Sequence, residues 1–577
     1  MTVMKNSFIF TTLAAASVTL GLSSCEDEFL GLEPQGSENS ENYMYSAENA
    51  EYVINGCYDL LQFDEGNGPD DVNGEWSVSG HFDFMVGDMI SDDSEKGSST
   101  ADNAKLLELI CGKGAASNEI ARAFWLHGFW GVSRCNYAIE KLGGVSWDAD
   151  LRDQYMGEAL FLRAYFNWYL VRYFGPVPLF TKSVQPSDFG SVQRASVHEV
   201  YAQIAADLTK AAELLPLRSE QSDSELGRAT KGAAQALLAR VMMYQIGTDP
   251  DNNDGAATWQ KVYDLTKSVI ESGEYRLLDN YAQLFETEYD NNAESVFDVQ
   301  FGDGSSDSAP ECIGTNFYQY QSNRETGAGW GFNNPSSDLY REFEEGDPRI
   351  SSTLYGATYN SGILYGEKTK FRDTSADDWS LYFSRKAALQ EMPASMKAAP
   401  RNIRIIRYAD VILMNAEAAA NTGKEAEAIS MVNKIRERAN KSTMCKGFND
   451  GAPNAFPENS VTNPLELLSS SLSGDALKEA ISHERRVELA MEGLRFYDLV
   501  RTNKLAETLQ SVKWDARQAG GADYNVYKED YVSYYDGVAN NIKGKSRKGA
   551  LSDAQVFVLP IPSTEVSAYG LEQNPGY

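Results

Sequence analysis

Aromatic rings in polar, glycine-rich surroundings are the residues of this chain best suited to meet a ligand. Trp76 stands in Asn73-Gly74-Glu75-Trp76, and Trp379 follows Asp377-Asp378. Tyr318 and Tyr320 stand in Phe317-Tyr318-Gln319-Tyr320, and Trp330 in Gly329-Trp330-Gly331-Phe332. Sugars are held by stacking their CH faces on Trp or Tyr and by hydrogen bonds to their hydroxyls. Each ring alone also fits ordinary loop packing. Together, Trp76, Tyr318, Tyr320, Trp330 and Trp379 are the candidate glycan contacts. A second group is acidic. Asp83, Asp88, Asp92 and Asp93 read as a solvated loop, with calcium coordination through oxygen ligands as the alternative. The run from Asp249 to Gly255 has part of an EF-hand pattern. It fails, because Asp254 stands where glycine is required and Gln260 where the bidentate Glu belongs, so it reads as a polar turn. No metal site and no cofactor are expected.

The catalytic patterns are mostly missing. His483-Glu484 lacks the second His of a zinc protease, since Val487 occupies that place. Gly544-Lys545-Ser546 is not a phosphate loop, because Ala539 replaces its first Gly. There is no G-x-S-x-G. The four His, at 81, 127, 198 and 483, are far apart in sequence. The chain reads as a binding protein and not an enzyme. A glycoside hydrolase on the same scaffold stays open as the rival, because its two carboxylates are paired in space and 83 acids supply many pairs. A pure interaction scaffold or a peptide binder is the other alternative. The net charge of −32 repels phosphate backbones, which argues against nucleic acid. It also disfavours sulfated or uronate-rich ligands unless a local basic patch overrides it.

The compartment is written at the N-terminus. Lys5 precedes an apolar stretch from Phe8 to Leu22, 15 residues long and too short for the ~20 needed to span a bilayer. Residues 1–24 therefore read as a secretory signal peptide. Leu22-Ser23-Ser24-Cys25 is similar to a bacterial lipobox, in which the cysteine is acylated and begins the mature chain. Cys25 is the expected lipidation site. Glu26-Asp27-Glu28 directly after it is similar to a surface-export signal. Cys57, Cys111, Cys135, Cys312 and Cys445 remain, an odd number with no C-x-x-C; they read as buried thiols, with one disulfide left open.

These residues need a frame, and the apolar periodicity supplies one. Helices are expected over 119–142, 151–174, 196–215, 230–245, 257–272, 405–422, 425–440 and about 474–503. Ser196-Val197-His198-Glu199 is a capping box. The pair around Gly423 has tetratricopeptide spacing, with small Ala416 and Ala428 where its helices must approach. The fold class is mainly α: an α-solenoid of tetratricopeptide-like repeats carrying a loop-rich insertion with small β-hairpins. Arg163, Arg485, Arg486 and Arg495 lie among apolar helical residues. They read as structural cations paired with Glu158, Glu488, Glu492 or Asp498.

End to end, the chain resembles the SusD/RagB family of Bacteroidetes nutrient-binding lipoproteins. The strings that carry the resemblance run from Cys25-Glu26-Asp27-Glu28-Phe29-Leu30 through Asn55-Gly56-Cys57-Tyr58 and Gly87-Asp88-Met89-Ile90-Ser91-Asp92-Asp93. They continue with Gly157-Glu158-Ala159-Leu160-Phe161-Leu162-Arg163-Ala164, Arg172-Tyr173-Phe174-Gly175-Pro176 and Ile406-Arg407-Tyr408-Ala409-Asp410-Val411. Glu484-Arg485-Arg486-Val487-Glu488-Leu489, Gly493-Leu494-Arg495-Phe496-Tyr497-Asp498 and the closing Gln573-Asn574-Pro575-Gly576-Tyr577 complete the set. The resemblance implies a lipoprotein of the outer membrane, exposed at the cell surface, that binds glycans and partners a SusC-like TonB-dependent transporter. It implies no catalysis. The organisation expected is a signal peptide over 1–24, a helical-repeat N-terminal region over 25–276 and a C-terminal region over 277–577. The last contains the loop-rich insertion 277–400, helices over 404–503 and an irregular end.

Overall fold

The computed structural model describes residues 44, 46–62, 82–98, 102–145, 147–184, 192–302, 314–324, 329–356, 363–364, 367–368, 382–389, 399–448, 452–459, 464–512, 546–548 and 555–577. Cys25, Trp76, Trp379 and Cys312 lie outside these residues.

The first half is helical. It begins with α1 (Ala47–Asp59), α2 (Phe82–Met89), strand β1 (Ser94–Gly97) and α3 (Ala104–Ile110). Then come α4 (Glu119–Leu142), α5 (Ala149–Phe174), the hairpin of β2 (Val177–Pro178) and β3 (Arg194–Ala195), α6 (Val197–Leu214), α7 (Lys231–Thr248) and α8 (Trp259–Glu271). Asn118, Asp148, Ser196, Thr230 and Thr258 each accept a backbone N–H at a helix start, which satisfies donors that the helix itself cannot. At Ser196 the full box with Glu199 forms. Helix α5 is buried on every side from Gly157 to Phe174, which explains its lack of a polar face.

The second half opens with β4 (Ser295–Val299), α9 (Phe317–Gln321), β5 (Phe332–Pro335), α10 (Ser337–Glu342), α11 (Ile350–Thr353), β6 (Leu354–Gly356), β7 (Ile363–Leu364), β8 (Glu367–Lys368) and β9 (Tyr382–Ser384). It continues with β10 (Ile403–Arg407), α12 (Tyr408–Asn421), α13 (Glu425–Lys441), α14 (Gly474–Glu488), α15 (Arg495–Arg501), α16 (Leu505–Ser511), β11 (Ser546–Lys548), β12 (Gln555–Phe557) and α17 (Ser563–Tyr569). All the sheets among the described residues are two-stranded and antiparallel.

The frame is a stack. Helix α4 packs on α5, α5 on α6, α6 on α7, α7 on α8, α8 on α12 and α12 on α13. Each helix meets its neighbours in the series, the architecture expected of tetratricopeptide-like repeats. Ala416 and Ala428 are fully buried at the α12–α13 approach. One apolar cluster runs from Met44 through the frame to Phe557 and Leu571.

Two expected helices are shorter than their periodicity. Residues 405–407 belong to β10, which pairs with β4 and places Arg407 inside the core. The stretch 474–503 breaks between Glu488 and Arg495. Met491 and Gly493 there adopt φ of 60° and 73°, left-handed values no helix continues through. Gly493 faces Gly87 of α2. A Cβ on either would overlap the other segment's backbone, so the two glycines set how closely the segments approach.

The charged strings form a buried network. Glu488 meets Arg349 at 2.9 Å and Arg407 at 2.6 Å, and also pairs with Arg438. Arg407 reaches Glu294 at 2.9 Å and Glu492 at 2.8 Å. Burial alone would raise the Glu488 carboxyl, but Arg438, Arg407 and Arg349 outweigh it and hold it well below the carboxylate range. Arginine pairing was expected, yet most partners differ. Arg163 binds Asp207 at 2.6 Å, whereas Glu158 takes Arg228 at 2.8 Å. Arg485 binds Asp410 and Asp498 at 2.8 and 3.2 Å. Arg486 and Arg495 reach Asp92, both at 2.8 Å, and Arg486 also holds Asp93 at 2.7 Å.

This overturns the solvated acidic loop. Asp88, Asp92 and Asp93 are each no more than 2% exposed. Burial pushes the Asp88 carboxyl up to about 8, against the hydrogen bonds from Asn333 and Gly493. Burial also raises Asp93, with the Asp92 charge adding to it, whereas Arg486 and Arg495 outweigh burial at Asp92 and lower it. Asp88 accepts from Gly493 N at 2.9 Å and from Asn333 Nδ2 at 3.2 Å. These carboxylates face arginines and amides, and no group of three His, Cys, Asp or Glu among the described residues is placed to hold a metal. Cys57, Cys111, Cys135 and Cys445 are buried and in no disulfide.

Candidate functional site

The acidic segment and the aromatic insertion are far apart in sequence, and β-pairing joins them. Ser94, Glu95 and Gly97 of β1 sit opposite Pro335, Asn334 and Phe332 of β5. Asn333 lies where they join. It accepts from Ser94 Oγ at 2.7 Å and donates to Gln321 Oε1 at 2.9 Å, tying β5 to α9 as well.

Helix α9 decides what the Phe317–Tyr320 string does. Side chains two apart on a helix diverge, whereas on a strand they would share a face. Tyr318 turns one way. It is 3% exposed, donates from Oη to Asn402 O at 2.7 Å, and carries the Arg401 guanidinium 4.0 Å above its ring. It lines a cavity of about 60 Å³ with Asp88, Lys386, Arg404 and Glu492, which has room for water rather than a sugar. Tyr320 turns the other way and is fully buried. Its ring meets Trp330 edge-on at 4.4 Å and Phe332 at 5.9 Å. Neither tyrosine presents an open ring in this structure, because one turn of helix sends both inward.

Trp330 is different. It is half-buried, neither enclosed like Tyr320 nor fully exposed, and its ring lies edge-on to Tyr320. Its backbone N donates to Gln319 O at 2.9 Å, Gly331 N to Ser322 O at 2.9 Å, and Ser98 N to Gly331 O at 2.6 Å. The ring is thus carried on a short segment pinned to both α9 and the end of β1. Gly331, at φ 74°, keeps the passage open: a Cβ there would come within 3.3 Å of Arg324 Cγ.

Sequence reading missed the polar groups around Trp330. Asp102 Oδ2 accepts from Ser98 Oγ at 2.6 Å and from Arg324 Nη1 at 2.8 Å. Lys96 donates to Asp102 O at 2.6 Å and lies 5.2 Å over the Phe332 ring. The Arg324 and Asp102 side chains are 51% and 38% exposed. The exposed carboxylate–guanidinium pair adjoins Gly331, the residue after Trp330, and offers an acceptor and a donor next to the segment that carries the indole. No motif marks Ser98, Asp102 or Arg324, which become neighbours only through the β1–β5 pairing. Trp76 and Trp379 lie outside the described residues. Another cavity, of about 220 Å³, lies beside α4 and is lined by Trp125, Phe129, Trp130, Phe180, Tyr569 and Leu571. Its wall is mainly apolar, with Ser133, Asn136, Lys182 and Glu565 as polar groups.

A family model described as "SusD family" matches residues 293–577, and one described as "Starch-binding associating with outer membrane" matches 82–243. The chain is 27% identical over 526 residues to "SusD-like protein P38" of Formosa agariphila, covering 85% of this chain and 91% of that protein. A solved "laminarin binding SusD-like protein" matches with a TM-score of 0.63 and 26% identity, over 92% of this chain and 99% of the other. Surface glycan-binding protein A from Bacteroides thetaiotaomicron, in complex with laminarihexaose, matches with a TM-score of 0.65 and 22% identity over the same shares. The last shows the fold. No helix among the described residues is long and apolar enough to cross a membrane.

Proposed function

The chain belongs to the SusD/RagB family, and on that premise we propose that it is a surface glycan-binding lipoprotein. It captures a polysaccharide or its oligosaccharides and hands them to a SusC-like TonB-dependent transporter. Acylation at Cys25 anchors it to the outer membrane, and it performs no covalent chemistry on its cargo. The observation that carries this reading is Trp330. It is half-buried, its ring lies against Tyr320, and the next residue, Gly331, adjoins Ser98 and the Arg324 that pairs with Asp102. Trp330 is the stacking contact, with Tyr318 and Tyr320 holding the segment that carries it. Trp76 and Trp379 are further contacts on the evidence of their sequence settings. A relative named for binding laminarin supports the ligand class.

Calorimetry of the purified chain against a panel of polysaccharides, with laminarin included, tests the proposal. At least one polymer is expected to bind, and Trp330→Ala to weaken it by ~1–3 kcal/mol, the scale of aromatic stacking platforms. No reducing ends are expected to accumulate on incubation. Flat titrations across the panel, or an unchanged affinity in Trp330→Ala, would refute it.

A further inference from the structure

We propose that Arg172 holds one small monovalent anion of halide size, in a cage of aromatic rings at the end of α5. The proposal is independent of the glycan-binding reading, because it concerns other residues and another chemical class of ligand.

Arg172 opens the string Arg172-Tyr173-Phe174-Gly175-Pro176, to which glycan binding gives no task. The residue is 6% exposed. Its guanidinium carbon lies 4.3 Å from the ring centroid of Trp168, 4.5 Å from Tyr497, 5.2 Å from Tyr173 and 5.5 Å from Tyr169. Among the described residues it makes no hydrogen bond and no ion pair, and its Nε is enclosed without an acceptor. The Nε1 of Trp168 is enclosed without an acceptor as well. Two neighbouring buried donors and one buried positive charge therefore lack a counterpart.

Other buried arginines of this chain are provided for. Arg163, Arg407 and Arg485 each meet a carboxylate, at 2.6, 2.6 and 2.8 Å. Around Arg172 the rings attract the charge through their faces, but a ring face offers no lone pair to an N–H. The carbonyls at the end of α5 serve other donors. Val171 O accepts from Gly175 N at 2.9 Å, Tyr173 O from Leu559 N at 2.7 Å and Phe174 O from Asn574 Nδ2 at 2.9 Å. A buried donor left without an acceptor and a buried charge left without a counter-charge both cost free energy. One anion meets both needs, since it accepts several N–H groups and balances the cation; a water molecule meets only the first. A single positive charge calls for a single negative one, and a residue so enclosed admits a compact ion. The chain's net charge of −32 repels anions at long range, but salt screens that field beyond about 8 Å, so the local pairing decides.

The test begins with thermal unfolding of the purified chain from ~1 to ~100 mM chloride, the ionic strength being held constant with gluconate. The wild-type midpoint is expected to rise by about 1 °C or more, and Arg172→Met to abolish the rise. Crystals of the wild type grown in bromide need no variant, and an anomalous peak within hydrogen-bonding reach of the Arg172 guanidinium is expected. Circular dichroism shows whether Arg172→Met folds; if it does not, the wild-type titration and the bromide map decide. A midpoint indifferent to chloride overturns the proposal. So does an equal rise in a folded Arg172→Met, or a bromide map with no peak at Arg172, water then being what completes the two donors.

Discussion

His483 shows how one side chain can be recruited for structure. Its sequence context failed as a metal site, and the structure seats it between two carboxylates. Nδ1 lies 2.7 Å from Glu342 and Nε2 3.4 Å from Glu344. Burial would lower its pKa, but hydrogen bonds to Glu342 and Glu344 and the charges of Glu342 and Glu484 prevail and carry it to about 9. A raised folded pKa stabilises fully below the unfolded value of ~6.5, and that stabilisation is lost as pH climbs through about 9. Urea stability of the wild type should therefore fall between these pH values by ~1–2 kcal/mol from this joint, discounted for partial exposure. His483→Gln should be less stable at pH 6 and flatter across that window. An identical pH slope in the variant would dismiss the assignment. The aromatic string teaches a related lesson. Residue type identified Tyr318, Tyr320 and Trp330 as aromatic surface, but type does not encode direction. One short helix buried the first two, and Trp330, beyond it, is half-buried against Tyr320.

Among the elements, α2 and the turn after α14 depend most on a single contact. Gly87 and Gly493 face each other with no room for a Cβ, and Asp88 accepts the Gly493 N–H beside them. Gly87→Ala gains ~1 kcal/mol of helix propensity but must push α2 off that turn. The turn is held by Arg495–Asp92 at 2.8 Å and cannot follow freely. A net loss of about 1–3 kcal/mol is expected, seen as a lower urea midpoint with an unchanged m-value. A variant as stable as wild type would show that the segments can separate at no cost. Helix caps and periods were legible because both are local: Ser196 and Glu199 are three residues apart and find each other without help. The break at 489–494 was not. Its helical composition is overridden by partners from α2, some 400 residues earlier.

At the scale of the molecule, buried charge joins the loop-rich half to the helical frame. Arg349 of the insertion, Arg407 of β10 and Arg438 of α13 converge on Glu488 of α14. Such a cluster is weak evidence for net stability, because well-packed apolar residues can serve as well, but removing one member leaves charges buried and unbalanced. Glu488→Gln should cost roughly 3–5 kcal/mol and loosen the insertion first. Hydrogen exchange should show α9 and β5 losing protection before α4 and α5 do. A loss below ~1 kcal/mol, or uniform exchange, would contradict this.

The chain's charge, the apolar periods of its main helices, their caps and the family strings are properties of neighbouring residues, so the sequence alone determined a mainly helical repeat frame and its family. The site required more. Ser98, and Arg324 with its partner Asp102, come up to the Trp330–Gly331 segment only because β1 pairs with β5 across more than 200 residues. The acidic stretch is buried only because Arg486 and Arg495 arrive from near the other end of the chain. Neither pairing leaves a local pattern, because a strand register or an ion pair between distant segments is selected by packing the whole molecule.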